Sequence, residues 1–215
     1  MPSGGLFITF EGIDGAGKST HMQGLANAFL AVGREVLVTR EPGGTPLAES
    51  LRELVLRQAM DGLTEALLVF AARRDHLQSC IEPALRRGAV VLCDRFTDSS
   101  FAYQGGGQGL DLQVLDTLER WVQASAAGPD ESLRQPDFTL WFDLAPALAA
   151  QRLANVRTPD RFEARDAAYF ERVRDGYRRR AVAHGGRIFH IDADMPQARV
   201  WDAVRAAVQD RGWLA

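Results

Sequence analysis

The chain has 215 residues, 46% of them hydrophobic and 25% charged, with a formal charge of −3. These values suit a single soluble globular domain with a full α/β core. The slight acidic surplus argues against a sequence-independent grip on a nucleic-acid polymer, although a local arginine cluster can still serve small phosphorylated ligands.

Residues 6–10 form an apolar run that predicts a buried strand, and it leads into Gly12-Ile13-Asp14-Gly15-Ala16-Gly17-Lys18-Ser19. That stretch matches G-x-x-x-x-G-K-[ST], the P-loop. Residues 19–31 follow with Met22, Leu25, Ala26, Phe29 and Leu30 at helical spacing. Strand, glycine turn and helix are the context in which backbone N–H groups close around phosphate oxygens at a helix N-terminus. Lys18 would reach the β- and γ-phosphates, and the Ser19 hydroxyl would take a place on Mg²⁺. The sequence therefore predicts a nucleoside triphosphate site. Glu11 stops the first apolar run and no basic segment precedes it, so no signal peptide is expected.

Residues 35–39 predict a second strand, ending in a Pro/Gly loop at 40–44. A helix is expected over 46–58, and another, capped by Thr64, running to about residue 87. Its apolar stretch 66–72 is too short to cross a bilayer, and the expectation is a cytoplasmic enzyme without membrane contact. Residues 89–93 predict a short buried strand, 96–104 a helix ended by Gly105-Gly106-Gly107, and 112–126 a further helix before a polar loop at 128–135. Then come a strand at 138–143, a helix from Pro146 to about residue 154, a helix at 167–183, a fifth strand at 187–191 and a terminal helix at 197–209. Cys80 and Cys93 read as buried, reduced thiols. Alternating strands and helices, with strands apolar on both faces, predict a P-loop NTPase fold: three layers, α/β/α, around a five-stranded parallel sheet. No repeat or linker divides the chain, so residues 1–215 are expected to be one domain.

Asp94 stands at the carboxyl end of the 89–93 strand, where such sheets bind ligands. Beside a P-loop this is the place of the acid that holds Mg²⁺; capping the next helix is the alternative. Arg95 follows, and its planar fork suits the phosphate of an acceptor, or else a surface ion pair.

At this point the chain resembles the thymidylate kinases, which transfer the γ-phosphoryl group of ATP to dTMP. The resemblance rests on residues 11–20 and 39–45, Phe70 with Arg74, Asp94-Arg95-Phe96, Ser99-Ser100, Tyr103-Gln104-Gly105-Gly106-Gly107, and Asp160-Arg161, in the family's order over most of the chain. It implies a nucleoside monophosphate kinase with ATP held by Gly12, Ile13, Asp14, Gly15, Ala16, Gly17, Lys18, Ser19 and Thr20. Mg²⁺ would be held by Ser19 and Asp94. Asp14, Glu41, Phe70, Arg74, Arg95, Ser100, Tyr103 and Gln104 would hold dTMP.

In that reading Phe70 stacks on thymine and Arg74 donates to a thymine carbonyl, with Arg73 as the adjacent candidate. Ser100 and Gln104 bond the base edge, Tyr103 packs where a 2′-hydroxyl would sit, and Asp14 faces the sugar 3′-hydroxyl. The catalytic cations are Lys18 and Arg95, joined by a lid around 151–163 that offers Arg157 first and Arg152 second. The lid departs from the fuller bacterial pattern, because Leu153, Ala154 and Asn155 interrupt its arginines and Pro159 stiffens it. Family members are homodimers through helices flanking the acceptor site, which is the expectation here. The alternatives are a nucleotide-operated switch without an acceptor, or a kinase of another nucleoside monophosphate.

Overall fold

Alternation along the central strands decides the layers of this fold, which is described here from a computed structural model covering residues 4–124, 133–154 and 165–214. In β1 (Leu6–Glu11), Leu6, Ile8 and Phe10 enter one core cluster, whereas Phe7 enters another. β3 (Val90–Asp94) repeats this, with Val90 and Leu92 on one side and Val91 and Cys93 on the other. Successive strand side chains point to opposite faces, so a strand apolar at every position must be covered twice. The first cluster is closed by α1 (Lys18–Ala31), α8 (Ala167–Ala183) and α9 (Gln197–Gln209). The second is closed by Leu77, Ile81 and Ala84.

β1 and β3 join β2 (Val36–Arg40), β4 (Phe138–Asp143) and β5 (Ile188–Asp192) in one parallel sheet ordered β2-β3-β1-β4-β5. This is the three-layer, five-stranded P-loop fold expected. The edge strands β2 and β5 are only partly covered. Because β3 and β4 flank β1, the winding reverses beside β1, and the carboxyl ends there open the crevice in which such sheets bind ligands.

The remaining helices are α2 (Pro46–Arg57), α3 (Gly62–His76), α4 (Glu82–Arg86), α5 (Thr97–Ser100), α6 (Leu112–Gln123) and α7 (Pro146–Leu153). Asp61, not Thr64, caps α3: its carboxylate accepts from Leu63 N and Thr64 N, both at 3.0 Å, and the Thr64 hydroxyl merely donates back to it. Between α3 and α4 the chain widens into π geometry over Leu77–Ile81. Pro83 follows at once and has no N–H to donate, a recognised cause of such irregularity. Cys80, expected buried, is only half-buried, while Cys93 is fully enclosed. Among the described residues no helix is long and apolar enough to cross a membrane. Most of the loop expected at 128–135 lies outside the described residues.

The helix expected to stop at residue 104 runs on through the glycines at 105–107, which are the last three residues of a π segment over Phe101–Gly107. Their use is close approach to α8: a Cβ on Gly106 would lie 2.6 Å from Arg172 O, and one on Gly176 would lie 2.8 Å from Ala102 Cα. Both obstacles are backbone. Gly106→Ala is therefore expected to lower unfolding stability by about 1–3 kcal/mol through forced separation of the two elements, to be checked by urea denaturation.

Candidate active site

β1 delivers the chain straight into the phosphate loop. Gly12 has φ +132, and a Cβ there would stand 2.4 Å from Phe142 O, so the loop's first position admits only glycine. Ile13 and Ala16 are buried in the core and anchor the loop, while Asp14, Gly15 and Ser19 line the cleft. Gly17, the N-cap of α1, supplies no side-chain cap, which leaves the first N–H groups of α1 for a ligand. Thr20 is exposed in the first turn of α1. Lys18 folds back into the loop, its Nζ donating to Gly12 O at 3.0 Å and Ile13 O at 3.3 Å. Asp14 Oδ1 lies 3.7 Å from that nitrogen and Asp94 Oδ1 lies 3.8 Å from it. Burial and, after it, Arg95 lower the Lys18 pKa, while Asp94, Asp14 and Glu11 work the other way.

A cavity of about 400 Å³ runs from this loop towards α2 and α3. Arg40, Arg52, Arg73 and Arg95 all line it, against the acids Asp14, Glu41 and Asp94. Arg95 leaves the end of β3 with φ 70, a left-handed conformation unusual outside glycine. Its Nη2 meets Asp14 Oδ1 at 2.9 Å, its Nη1 donates to Tyr177 OH at 3.1 Å, and its guanidinium carbon lies 4.9 Å from the Tyr103 ring centre. Burial opposes the Arg95 charge, but Tyr103, Asp14, Tyr177 and Asp94 outweigh it and hold the group protonated. The negative charge that Asp14 brings into the loop is thus answered by Arg95 and Lys18. Burial pushes the Tyr103 phenol well up, so it stays neutral.

At the far end the structure departs from two of the expectations. Phe70 does not line the cavity. It is 1% exposed and packs with Ala66, Phe101, Leu115 and Leu118, and the residue facing the cleft in its place is Val69. Arg74 also points away, its Nη1 donating to Val122 O at 3.0 Å from an exposed position. The cleft arginine is Arg73, at i+3 from Phe70 where Arg74 is at i+4, so the phase of α3 decides between them. Arg73 is 1% exposed, with its guanidinium carbon 4.6 Å from the Phe70 ring centre and 5.2 Å from that of Phe96. Phe70 therefore holds the arginine.

Arg73 Nε meets Glu41 Oε2 at 2.7 Å, and its Nη2 donates to Phe96 O at 3.1 Å and Ser100 Oγ at 3.0 Å. Its Nη1 is buried without a hydrogen-bond partner. The other Glu41 oxygen lies 3.1 Å from His76 Nδ1, and His76 Nε2 lies 2.7 Å from Thr39 Oγ1. Glu41 thus braces the wall of the cavity with both oxygens engaged. Gln104 also lines the cavity, and its Nε2 donates to the buried Glu65 at 2.7 Å.

Of the lid residues, Arg152 is described: it donates to Ala193 O at 3.1 Å and Gly15 O at 3.4 Å, and it is not among the cavity-lining residues. The two carbonyls hold it beside the phosphate loop. Arg157, Arg161 and most of the 151–163 segment lie outside the described residues. Sequence reasoning missed Arg52, which donates to Pro42 O at 2.8 Å from the α2 face that also buries Ala48 and Val55. The spacing 48, 52, 55 was a readable signal.

Asp94 Oδ1 is buried without a hydrogen-bond partner. This carboxylate oxygen, 3.8 Å from Lys18 Nζ, belongs to a residue that lines the same cleft as Ser19, and that donor pair fits a magnesium ion, which takes few protein ligands beside water and substrate phosphates.

A family model described as thymidylate kinase matches residues 10–204. The chain is 62% identical over 214 residues to the thymidylate kinase of Albidiferax ferrireducens, covering 100% of both chains. It is 59% identical over 223 residues to that of Polaromonas sp., covering 98% of this chain and 99% of the relative. Among solved structures, thymidylate kinase from Ehrlichia chaffeensis matches with a TM-score of 0.76 at 36% identity, over 96% of this chain and 99% of that one. A phosphate loop, a strand-end acid and an arginine-lined cavity thus meet a family match along almost the whole sequence, and the chain belongs to the thymidylate kinase family.

Proposed function

We propose that the chain transfers the γ-phosphoryl group of ATP to dTMP, giving ADP and dTDP, with Mg²⁺ bound at Asp94 and Ser19. The carrying observation is that one cavity of about 400 Å³ is lined both by the phosphate loop (Asp14, Gly15, Ser19) and by Arg95, Arg73, Tyr103 and Gln104. Thymine presents a carbonyl acceptor beside an N–H donor. Arg73 Nη1 is the buried donor without a partner that suits the first. Gln104 has spent its amide nitrogen on Glu65, so its carbonyl oxygen suits the second. Val69 and Tyr103 both line the cavity; Val69 is assigned as an apolar wall for the ring, and Tyr103 as the group that excludes a ribose 2′-hydroxyl.

The acceptor oxygen of dTMP is already anionic, so transfer needs no strong base, only positioning and charge neutralisation. Lys18 serves the donor phosphates, Arg95 clamps the acceptor phosphate with Arg52 near it, and Arg157 is the lid cation. When bound, Mg²⁺ supplies further neutralisation of charge on the transferring group. We also assign the chain to the cytoplasm, as a homodimer through α3 and α6, supported by the exposure of Leu63, Leu67, Leu112 and Trp121 on those helices.

The test is Mg²⁺-dependent ADP release with dTMP, dUMP, dCMP, dGMP, AMP, UMP and thymidine as separate acceptors. Turnover of about 1–100 s⁻¹ with dTMP and little with the others is the expected result. Faster turnover with another acceptor would overturn the base pocket, and acceptor-independent turnover would overturn the kinase reading.

A further inference from the structure

Glu11 ends β1, is fully buried, and is not part of the cavity lining. A carboxylate in such a place needs several donors, and it has three. Its Oε1 accepts from Phe96 N at 2.7 Å, and its Oε2 accepts from Ser99 Oγ at 2.5 Å and Tyr177 OH at 2.9 Å. A hydroxyl carries one proton and two lone pairs. With both protons drawn onto Oε2, the two oxygens, which lie only 2.8 Å apart, present lone pairs to each other and to the donor that lies beyond them. What lies beyond is Arg95, whose Nη1 is 3.1 Å from Tyr177 OH and 3.4 Å from Ser99 Oγ.

Resting on the reading of Arg95 as the acceptor-phosphate ligand, we infer that Glu11 is its positioning residue. Glu11 fixes the proton direction of the Ser99 and Tyr177 hydroxyls so that both accept from Arg95, and it pins the backbone at Phe96, one residue beyond. The second grip matters because Arg95 is held in a left-handed conformation that its own side chain does not favour. Neighbouring Asp98 does not compete for these donors, since Arg180 and Arg187 occupy its oxygens at 2.7–2.9 Å. Burial, with Asp98 second, raises the Glu11 pKa to about 7, while Ser99, Arg95 and Phe96 pull it down, so the carboxylate form leans on the contacts named here.

Glu11→Gln tests this without changing shape. The amide oxygen keeps Phe96 N–H, but the amide nitrogen must donate, which turns the hydroxyl protons towards Arg95 and sets donor against donor. The expected result is a rise in KM for dTMP of about tenfold or more, with KM for ATP unchanged within about twofold. In an Arg95→Ala background the same change should add no more than about twofold, because both variants remove one interaction. Equal rises in both KM values, or additive losses in the double variant, would overturn the proposal. If Arg95→Ala alone leaves KM for dTMP unchanged, the reading of Arg95 falls, and the proposal with it. If Arg95→Ala raises it and Glu11→Gln does not, only the role of Glu11 falls. Should Glu11→Gln not fold, Tyr177→Phe takes its place in the cycle, with the same non-additivity expected and additive losses counting against the proposal.

Discussion

Lys18→Ala is expected to lower kcat for phosphoryl transfer to dTMP by about 10²–10³-fold, while the chain still folds. The Lys18 ammonium is held inside the phosphate loop by two carbonyls and is 5% exposed. Little solvent screens it there, so its field on a nearby phosphate is strong. It also lies within 3.8 Å of both Asp14 and Asp94. Its removal takes away the cation that would follow charge onto the transferring group and leaves two acids facing the polyphosphate. The fold should survive, because the loop backbone is anchored separately by Ile13 and Ala16 in the core. Single-turnover transfer from ATP to dTMP, with thermal unfolding by circular dichroism as the control, checks both halves. A folded variant with kcat near the parent's would refute the role of Lys18.

Arg73→Ala is expected to cost both stability and dTMP recognition. Arg73 and Glu41 are 1% and 3% exposed, and their contact is 2.7 Å. Removing one member of such a buried pair strands the other and typically costs about 3–5 kcal/mol. His76 on the opposite oxygen softens this without replacing three guanidinium bonds. Arg73→Lys should not rescue it, since one ammonium cannot reach Glu41, Phe96 O and Ser100 together in the geometry of the planar fork. Arg74→Ala, on the exposed neighbour, should change stability by less than about 0.5 kcal/mol. Urea denaturation and dTMP titration of all three variants are the measurements. Loss of dTMP binding in Arg74→Ala with Arg73→Ala intact would reverse the assignment.

What the sequence revealed depended on how locally each feature is encoded. The phosphate loop is contiguous, so its residues and its flanking strand and helix could be read together, and Asp94 and Arg95 follow from their place after an apolar run. The choice between Arg73 and Arg74 could not be made that way. Both lie about one turn from Phe70, and only the packed phase of α3 separates a cleft side chain from one bonded to Val122 O. Phe70 was misread because an aromatic at helical spacing looks the same whether it meets a ligand or the core. Glycines 105–107 suggested a stop, whereas the reason for them is the α8 backbone, about seventy residues further along. Glu11 read as the polar end of a strand, since its partners at 96, 99 and 177 leave no local pattern.

The brace between Arg73 and Glu41 also bears on how this enzyme can diverge. The guanidinium proposed to read the base also neutralises a carboxylate sealed in the protein interior, and that carboxylate is tethered onward to His76 and Thr39. A single substitution that altered base preference at Arg73 would carry a folding defect with it. Drift towards another acceptor along this wall is therefore expected to proceed through paired changes at 41 and 73, with Glu41 neutralised first. Within the family, chains carrying a different residue at one of these positions should differ at the other as well.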